Sequence, residues 1–305
     1  MIDEREAIEK AVGDNAAGTV DEPLRLGLPK GRMQAGVLSL LGDAGIAVSL
    51  STRGYRPSIS LPLCEVKVLK PQNIVEMLHA GSRDVGFAGA DWVAELNADV
   101  VEVFDTGLDA VRVVAAAPRG ILLDGRLPER PLTIASEYQR LAAQWIAERG
   151  RRDRLVRSYG ATEVFPPEDA DCIIDVTSTG STLEANGLEI VGELRRSSTR
   201  LYASPGAMRV PAKRRRIEDL ALVLRSVIEA RRRVMLEVNV PADSLEAVVA
   251  VLPCMRHPTV ARLHGDAGYA VKAAVPREDL PRLIPLLKAR GGTDVVITTM
   301  TQVVP

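Results

Sequence analysis

Between Asp171 and Leu188 an apolar run, Cys172-Ile173-Ile174, gives way to Asp175-Val176. It then meets Thr177-Ser178-Thr179-Gly180-Ser181-Thr182 before helix-forming residues resume. Hydroxyls and one glycine in succession suit an anion. Small residues let the backbone curl so that N–H groups converge, and the hydroxyls add donors. A helix starting just after would point the positive end of its dipole at the same place. Asp175, at the carboxyl end of the apolar strand, suits the hydroxyls of a sugar or the waters of a magnesium ion. Phosphate on the loop and ribose on the acid together describe a phosphoribosyl site. A Walker-type loop would need Gly-Lys-Ser/Thr, and a dinucleotide loop three spaced glycines; neither is present. The plainer alternative is a Ser/Thr turn that only caps a helix. The order acid, strand, loop, helix argues against it.

A second set of candidates lies where other strands turn into helices. Leu24 to Leu28 is an apolar strand, and Pro29-Lys30-Gly31-Arg32 turns it into a helix with Val37, Leu38, Leu40 and Leu41 on one broad face. Lys30 and Arg32 therefore sit beyond a strand's carboxyl end, where open α/β sheets bind ligands. Glu65 to Leu69 alternates as a strand, Lys70 follows it, and Pro71 opens a helix. Asp84-Val85-Gly86-Phe87-Ala88-Gly89-Ala90-Asp91 is a strand entering a helix, with Asp91 suited to be its N-cap. Strands follow at Val111 to Ala117, Leu132 to Ser136 and near Leu155, then Glu189 to Leu194 and Ser197 to Ala203. Lys213-Arg214-Arg215-Arg216 opens a helix of 3.6-residue period and reads as a solvated charged face.

The run Asp175 to Leu188 is similar to the phosphoribosyl-pyrophosphate loop of the ATP phosphoribosyltransferases. The resemblance extends to Leu26-Gly27-Leu28-Pro29-Lys30-Gly31-Arg32, to Asp84–Asp91, to Arg112–Pro118 and to a C-terminal segment like the regulatory domain of that family's long form. It implies a two-lobed, periplasmic-binding-protein-like α/β core. Lobe I would span 23–113 and 197–232, lobe II 114–196, and a regulatory domain 233–305, leaving 1–22 as an N-terminal extension. Substrates would be ATP and phosphoribosyl pyrophosphate, with Mg2+ travelling on the pyrophosphate, near Asp175 and without direct protein ligands. Arg32, Arg53 and Asp175 become the catalytic candidates. Arg53 and Arg56 share one substrate-facing loop, and Arg53 is the preferred contact. Glu163, Asp175, Ser178, Thr179, Gly180, Ser181 and Thr182 would hold phosphoribosyl pyrophosphate. Lys30, Gly31, Arg32, Lys70, Gly86, Gly89 and Asp91 would line the nucleotide cleft.

Two stretches of the tail match in pattern, Val238-Asn239-Val240-Pro241 with Asp243 and Ala274-Val275-Pro276 with Glu278-Asp279, each a strand, a proline and an acid-led helix. With strands at 259–263 and 294–299 the order is β-α-β-β-α-β, a ferredoxin-like unit. By resemblance this module binds histidine as a feedback inhibitor, with Asn239, Thr259 and Ala274 as contacts, and the chain assembles as a dimer or hexamer without a separate regulatory subunit.

Composition sets outer bounds. At 305 residues two or three compact units are expected. A net charge of −1 gives no global field for nucleic acid. Three widely spaced cysteines suggest reduced, buried thiols and neither disulfides nor zinc. The first 18 residues lack a signal-peptide pattern and no anchor is evident, so a cytoplasmic protein without membrane partners is expected. The rival from another class is a two-lobed small-molecule binding protein without turnover. A further rival is a catalytic subunit that needs a regulatory partner.

Overall fold

A computed structural model describes residues 22–50 and 55–304. The extension 1–22, apart from Glu22, and the candidate Arg53 lie outside the described residues. In chain order, β1 (Leu24–Pro29) leads to α1 (Arg32–Asp43), an antiparallel pair β2 (Val48–Ser49) and β3 (Ser58–Ile59), and β4 (Cys64–Leu69). Next come α2 (Pro71–His79), β5 (Val85–Gly89), α3 (Ala90–Leu96) and the long β6 (Val101–Pro118). The second lobe holds β7 (Thr133–Ser136), α4 (Gln139–Glu148), β8 (Arg154–Arg157), β9 (Cys172–Thr177) and α5 (Ser181–Ala185). Then β10 (Leu188–Ala203) returns to α6 (Pro205–Arg209) and α7 (Pro211–Arg232).

One eight-stranded sheet runs through both lobes in the order β4-β1-β5-β10-β6-β9-β7-β8. The strands β4, β1 and β5 are parallel, as are β9, β7 and β8, and the antiparallel ribbon of β6 with β10 joins the two sets. Register shifts interrupt that ribbon near Ser197 and Thr199, where it leaves one lobe for the other. Glu189–Leu194 and Ser197–Ala203, read above as two strands, are thus one bulged strand.

Burial on both faces explains why β1 and β5 are apolar without alternation. One face packs on α1 and α7 through Leu24, Leu26, Leu40, Leu41 and Leu224, and the other on α2 and α3 through Ile74, Leu78 and Ala88. Gly27 and Gly86 lie under Ile74, and a Cβ on Gly86 would come within 2.7 Å of its Cγ2.

The basic run at α7 departs from the solvated face expected of it. Lys213 is buried, and its Nζ lies 3.2 Å from Asp84 Oδ1 and 2.9 Å from Glu22 Oε2. Arg216 donates to the carbonyls of Pro62 and Leu63. Arg25 holds the other side of Asp84, whose carboxyl loses solvation but is kept below its usual range by these cations. Arg214, paired with Glu218 one turn on, and Arg215 are exposed and behave as read from sequence.

The C-terminal domain is β11 (Arg233–Val240), α8 (Leu245–Val249), β12 (Thr259–Arg262), β13 (Tyr269–Pro276), α9 (Leu280–Ala289) and β14 (Thr293–Thr299). Its antiparallel sheet has the order β12-β13-β11-β14, the ferredoxin-like arrangement, over a core of its own. Each prolyl junction noticed in the sequence enters a short 3₁₀ turn and then a helix.

Candidate active site between the lobes

Strand direction places the cleft. Gly89, the last residue of β5, is level with Thr199, which pairs with Leu108 of β6. Thr177, the last residue of β9, pairs with Arg112 of the same β6. The carboxyl ends of the two parallel sets therefore face one another across four residues of β6, or roughly 13 Å at about 3.3 Å per residue. Lys30, Gly31, Arg32 and Lys70 leave one side of this gap, and Asp175 with the loop 177–182 leaves the other.

On the lobe II side Thr177 is buried, while Ser178, Thr179, Ser181 and Thr182 are exposed. The turn is held from within: Gly180 N–H donates to Thr177 Oγ1 at 2.9 Å, and the Thr179 and Ser181 hydroxyls lie 2.9 Å apart. Gly180 has φ 93°, a left-handed conformation that favours glycine. The helix that follows is α5, of five residues. So short a helix supplies little dipole, which leaves loop amides and hydroxyls as the anion donors.

Asp175 is partly buried at the foot of this loop. Burial, with the nearby charges of Glu163 and Glu137, pushes its carboxyl up to about 6, against the bonds it accepts from Val176 N–H and Thr162. Glu163 sits in the turn 162–164, whose Thr162 is fixed by a 2.8 Å contact with Ser158. A carboxyl group so placed gains from sugar hydroxyls or a cation arriving beside it.

On the lobe I side Arg32 is exposed and its Nη1 reaches Asp109 O on β6 at 3.4 Å, over the crossing between lobes. Lys30 Nζ stands 5.6 Å from the Tyr55 ring centre. Lys70 is exposed before α2.

Three of the nucleotide-cleft candidates are placed otherwise than the sequence suggested. Gly86 is inside β5, against Gly27, Ile74 and Tyr202, and is a packing glycine. Gly89 is buried, with no room for a Cβ beside Asp91 Oδ1 and Met33. Asp91 is 1% exposed, and both its oxygens are taken. The Tyr138 hydroxyl donates to Oδ2 at 2.6 Å and the Ser197 hydroxyl to Oδ1 at 2.7 Å, while Asp91 N–H donates to Ser197 Oγ at 3.0 Å. It is no N-cap for α3 but a link to lobe II.

That link has further members, none of which the sequence reading found. Glu95 of α3 caps α4 in the other lobe, accepting from Arg140 N–H at 2.9 Å and Leu141 N–H at 3.0 Å. Arg140 donates in return to Ala94 O, and the Trp92 and Tyr138 rings stack at 4.7 Å. Burial and the Asp91 charge push the Tyr138 hydroxyl well above its ordinary range, so it stays a donor. The available signal is an acid at the second position of one helix and an aromatic just before another. Nothing in the chain says that they meet.

In the C-terminal domain Thr259 and Ala274 line one cavity of about 500 Å3, with Met235, Lys272 and Val303. Asn239 does not join them. It lies four residues along β11 from Met235, and its amide donates to Asp294 at 3.1 Å. Among the described residues no helix is long and apolar enough to cross a membrane.

Residues 70–226 match the family model described as ATP phosphoribosyltransferase, and 230–302 match the one described as its C-terminal domain. ATP phosphoribosyltransferase from Pelotomaculum thermopropionicum is 36% identical over 287 residues, covering 92% of this chain and 99% of that protein. The enzyme from Chlorobium phaeovibrioides is 37% identical over 277 residues, covering 89% and 94%. Among solved structures, the ATP phosphoribosyl transferase (HisG:HisZ) complex from Thermotoga maritima aligns with a TM-score of 0.60 at 26% identity. The match covers 68% of this chain and 98% of that one.

Proposed function

The chain belongs to the ATP phosphoribosyltransferases, pentosyltransferases of histidine biosynthesis; from that premise we propose which residues act and how the enzyme is regulated. Adenine N1 of ATP attacks the anomeric carbon of phosphoribosyl pyrophosphate, and pyrophosphate leaves. The observation that carries this reading is the hydroxyl loop 177–182 with Asp175 at its foot, opposite Lys30, Arg32 and Lys70 across the gap set by β6.

The loop amides and the hydroxyls of Ser178, Thr179, Ser181 and Thr182 hold the 5′-phosphate. Asp175 and Glu163 take the ribose hydroxyls. Arg32, with Arg53, meets the charge that grows on the departing pyrophosphate. Asp175 would face a magnesium ion carried on that pyrophosphate, which would offset part of its charge. Because the leaving group is already activated, the protein's work is orientation and charge stabilisation. Lys30 and Lys70, on the lobe I rim, suit the triphosphate of ATP.

Histidine is the regulator. It binds in the cavity bounded by Thr259 and Ala274 and lowers turnover. The Thermotoga structure is of a two-component complex, whereas this chain carries its own C-terminal domain and works as a homo-oligomer, dimer or hexamer, in the cytoplasm without a second component. Pyrophosphate release from the purified chain with ATP, phosphoribosyl pyrophosphate and Mg2+ tests the reading. Release that histidine suppresses supports both parts; release indifferent to histidine removes the regulatory part, and no release removes the assignment of substrates.

A further inference from the structure

At the outer margin of lobe I, on the edge of the sheet, β4 and the segment Tyr55–Ile59 beside it bound a cavity of about 400 Å3. Arg56, Lys67 and Arg83 line it with a single acid, Glu65, and with Ser58 and Cys64. Arg83 precedes β5, at the opposite end of that strand from Gly89 and the cleft.

Arg83 is 7% exposed. Its Nε donates to Ser82 O at 3.0 Å, but its Nη1 has no hydrogen-bond partner among the described residues. The neighbouring acid in the chain, Asp84, is already committed to Arg25 and Lys213. Burying a guanidinium nitrogen with nothing to donate to costs free energy that folding normally avoids. Burial pulls the Arg83 pKa down, and repulsion from Arg25 and Arg56 adds to this against the attraction of Glu65 and Asp84.

We propose that this cavity is an anion site separate from the catalytic cleft, taking the phosphate group of a small phosphorylated molecule. Three cations against one carboxylate leave two positive charges, which match a phosphate monoester of about −1.5 to −2 at neutral pH. The planar Arg83 fork offers directed donors to its oxygens, and Lys67 a mobile point charge. The volume falls in the range of small-molecule sites, about 300–1,000 Å3.

Inorganic phosphate serves as the probe, with the full chain titrated by calorimetry and by thermal melting at constant ionic strength against chloride. On the function proposed above the loop 177–182 also binds phosphate, so a Thr179→Ala/Ser181→Ala double variant weakens that site and leaves the second one intact. In that background phosphate still binds and raises the melting temperature, and adding Lys67→Gln weakens it at least tenfold. Arg83→Met abolishes the effect and, in phosphate-free buffer, melts no lower than its parent, because it removes an unpaired buried charge. A purely structural Arg83 would lower the melting temperature instead. Loss of all phosphate binding in the loop variant, binding unchanged by Lys67→Gln, or an Arg83→Met protein that is less stable without phosphate overturns the proposal. Should Arg83→Met fail to fold, the proposal is likewise overturned.

Discussion

Burial pushes the Asp175 carboxyl from the ordinary 3.8 up to about 6, so at neutral pH the free enzyme holds an anion that its surroundings disfavour. The native state binds this proton more tightly than the unfolded chain does. Its penalty is therefore absent below about pH 4, grows between pH 4 and 6, and is fully present above. Two units correspond to at most about 3 kcal/mol. Asp175→Asn should accordingly be more stable than the parent at pH 8, by about 1–3 kcal/mol, with the gap closing at pH 4; denaturant melts at both pH values measure it. The same variant should lose ~100-fold in kcat/KM for phosphoribosyl pyrophosphate, since the anion is what ribose hydroxyls reward. A stability gap that does not change with pH would show that Asp175 is not the strained group. Thr179→Ala tests the loop at the same scale: KM for phosphoribosyl pyrophosphate should rise about tenfold with the fold intact, because one donor is lost at an exposed position. Unchanged kinetics would remove Thr179 from the site. These residues were legible in the sequence because their chemistry lies in one contiguous stretch.

At the scale of elements, the relation between α3 and α4 fixes how one lobe meets the other. Tyr138 bonds Asp91 across 47 positions and Glu95 reaches Arg140 across 45, so no local pattern could reveal either pair. The sequence points to Asp91 as a nucleotide contact because an acid at a strand-to-helix turn has the same local signature in both roles. The long β6 was underread for a related reason. Its first half, Val101 to Asp109, is rich in polar residues because it is the margin of the lobe I sheet, paired with β10 on one side only and largely open on the other, and polarity there looks like a loop. Lys213 has the local signature of a solvated face because its partner Asp84 is 129 positions away. By contrast, the continuous apolar runs of β1, β5 and β9 were legible, their burial on two faces requiring little else of them. Tyr138→Phe leaves Asp91 Oδ2 buried without its 2.6 Å donor. The expected loss is about 2 kcal/mol, read as a lower melting temperature with far-UV circular dichroism unchanged. KM for ATP should rise as well, because the lobe angle sets the cleft. A variant as stable as the parent would mean that the α3–α4 contact does not hold the lobes.

For the whole molecule the question is how a ligand in the C-terminal domain reaches a cleft in the core. Among the described residues the two have separate hydrophobic cores. Helix α7 is the element they share: Ile217, Leu220 and Leu224 belong to the lobe I core, and its last residue leads directly into β11. The segment after β14 returns to the same helix. Val303 N–H donates to Ser226 O at 2.9 Å, and Val303 with Val304 walls the cavity that also exposes Thr259 and Ala274. A histidine seated there would press on a segment already bonded to α7, which packs on α1 and carries Lys213 into the Asp84 cluster. Coupling through such a strap needs the strap but not the fold of either domain. Shortening the chain after Thr301 should therefore leave pyrophosphate release within about twofold of the parent and weaken inhibition by histidine at least tenfold. Calorimetry separates the two ways this could arise. Retained histidine binding without inhibition identifies 302–304 as the coupling element, lost binding makes it part of the site, and full inhibition by histidine in the shortened chain rules out this route from domain to cleft.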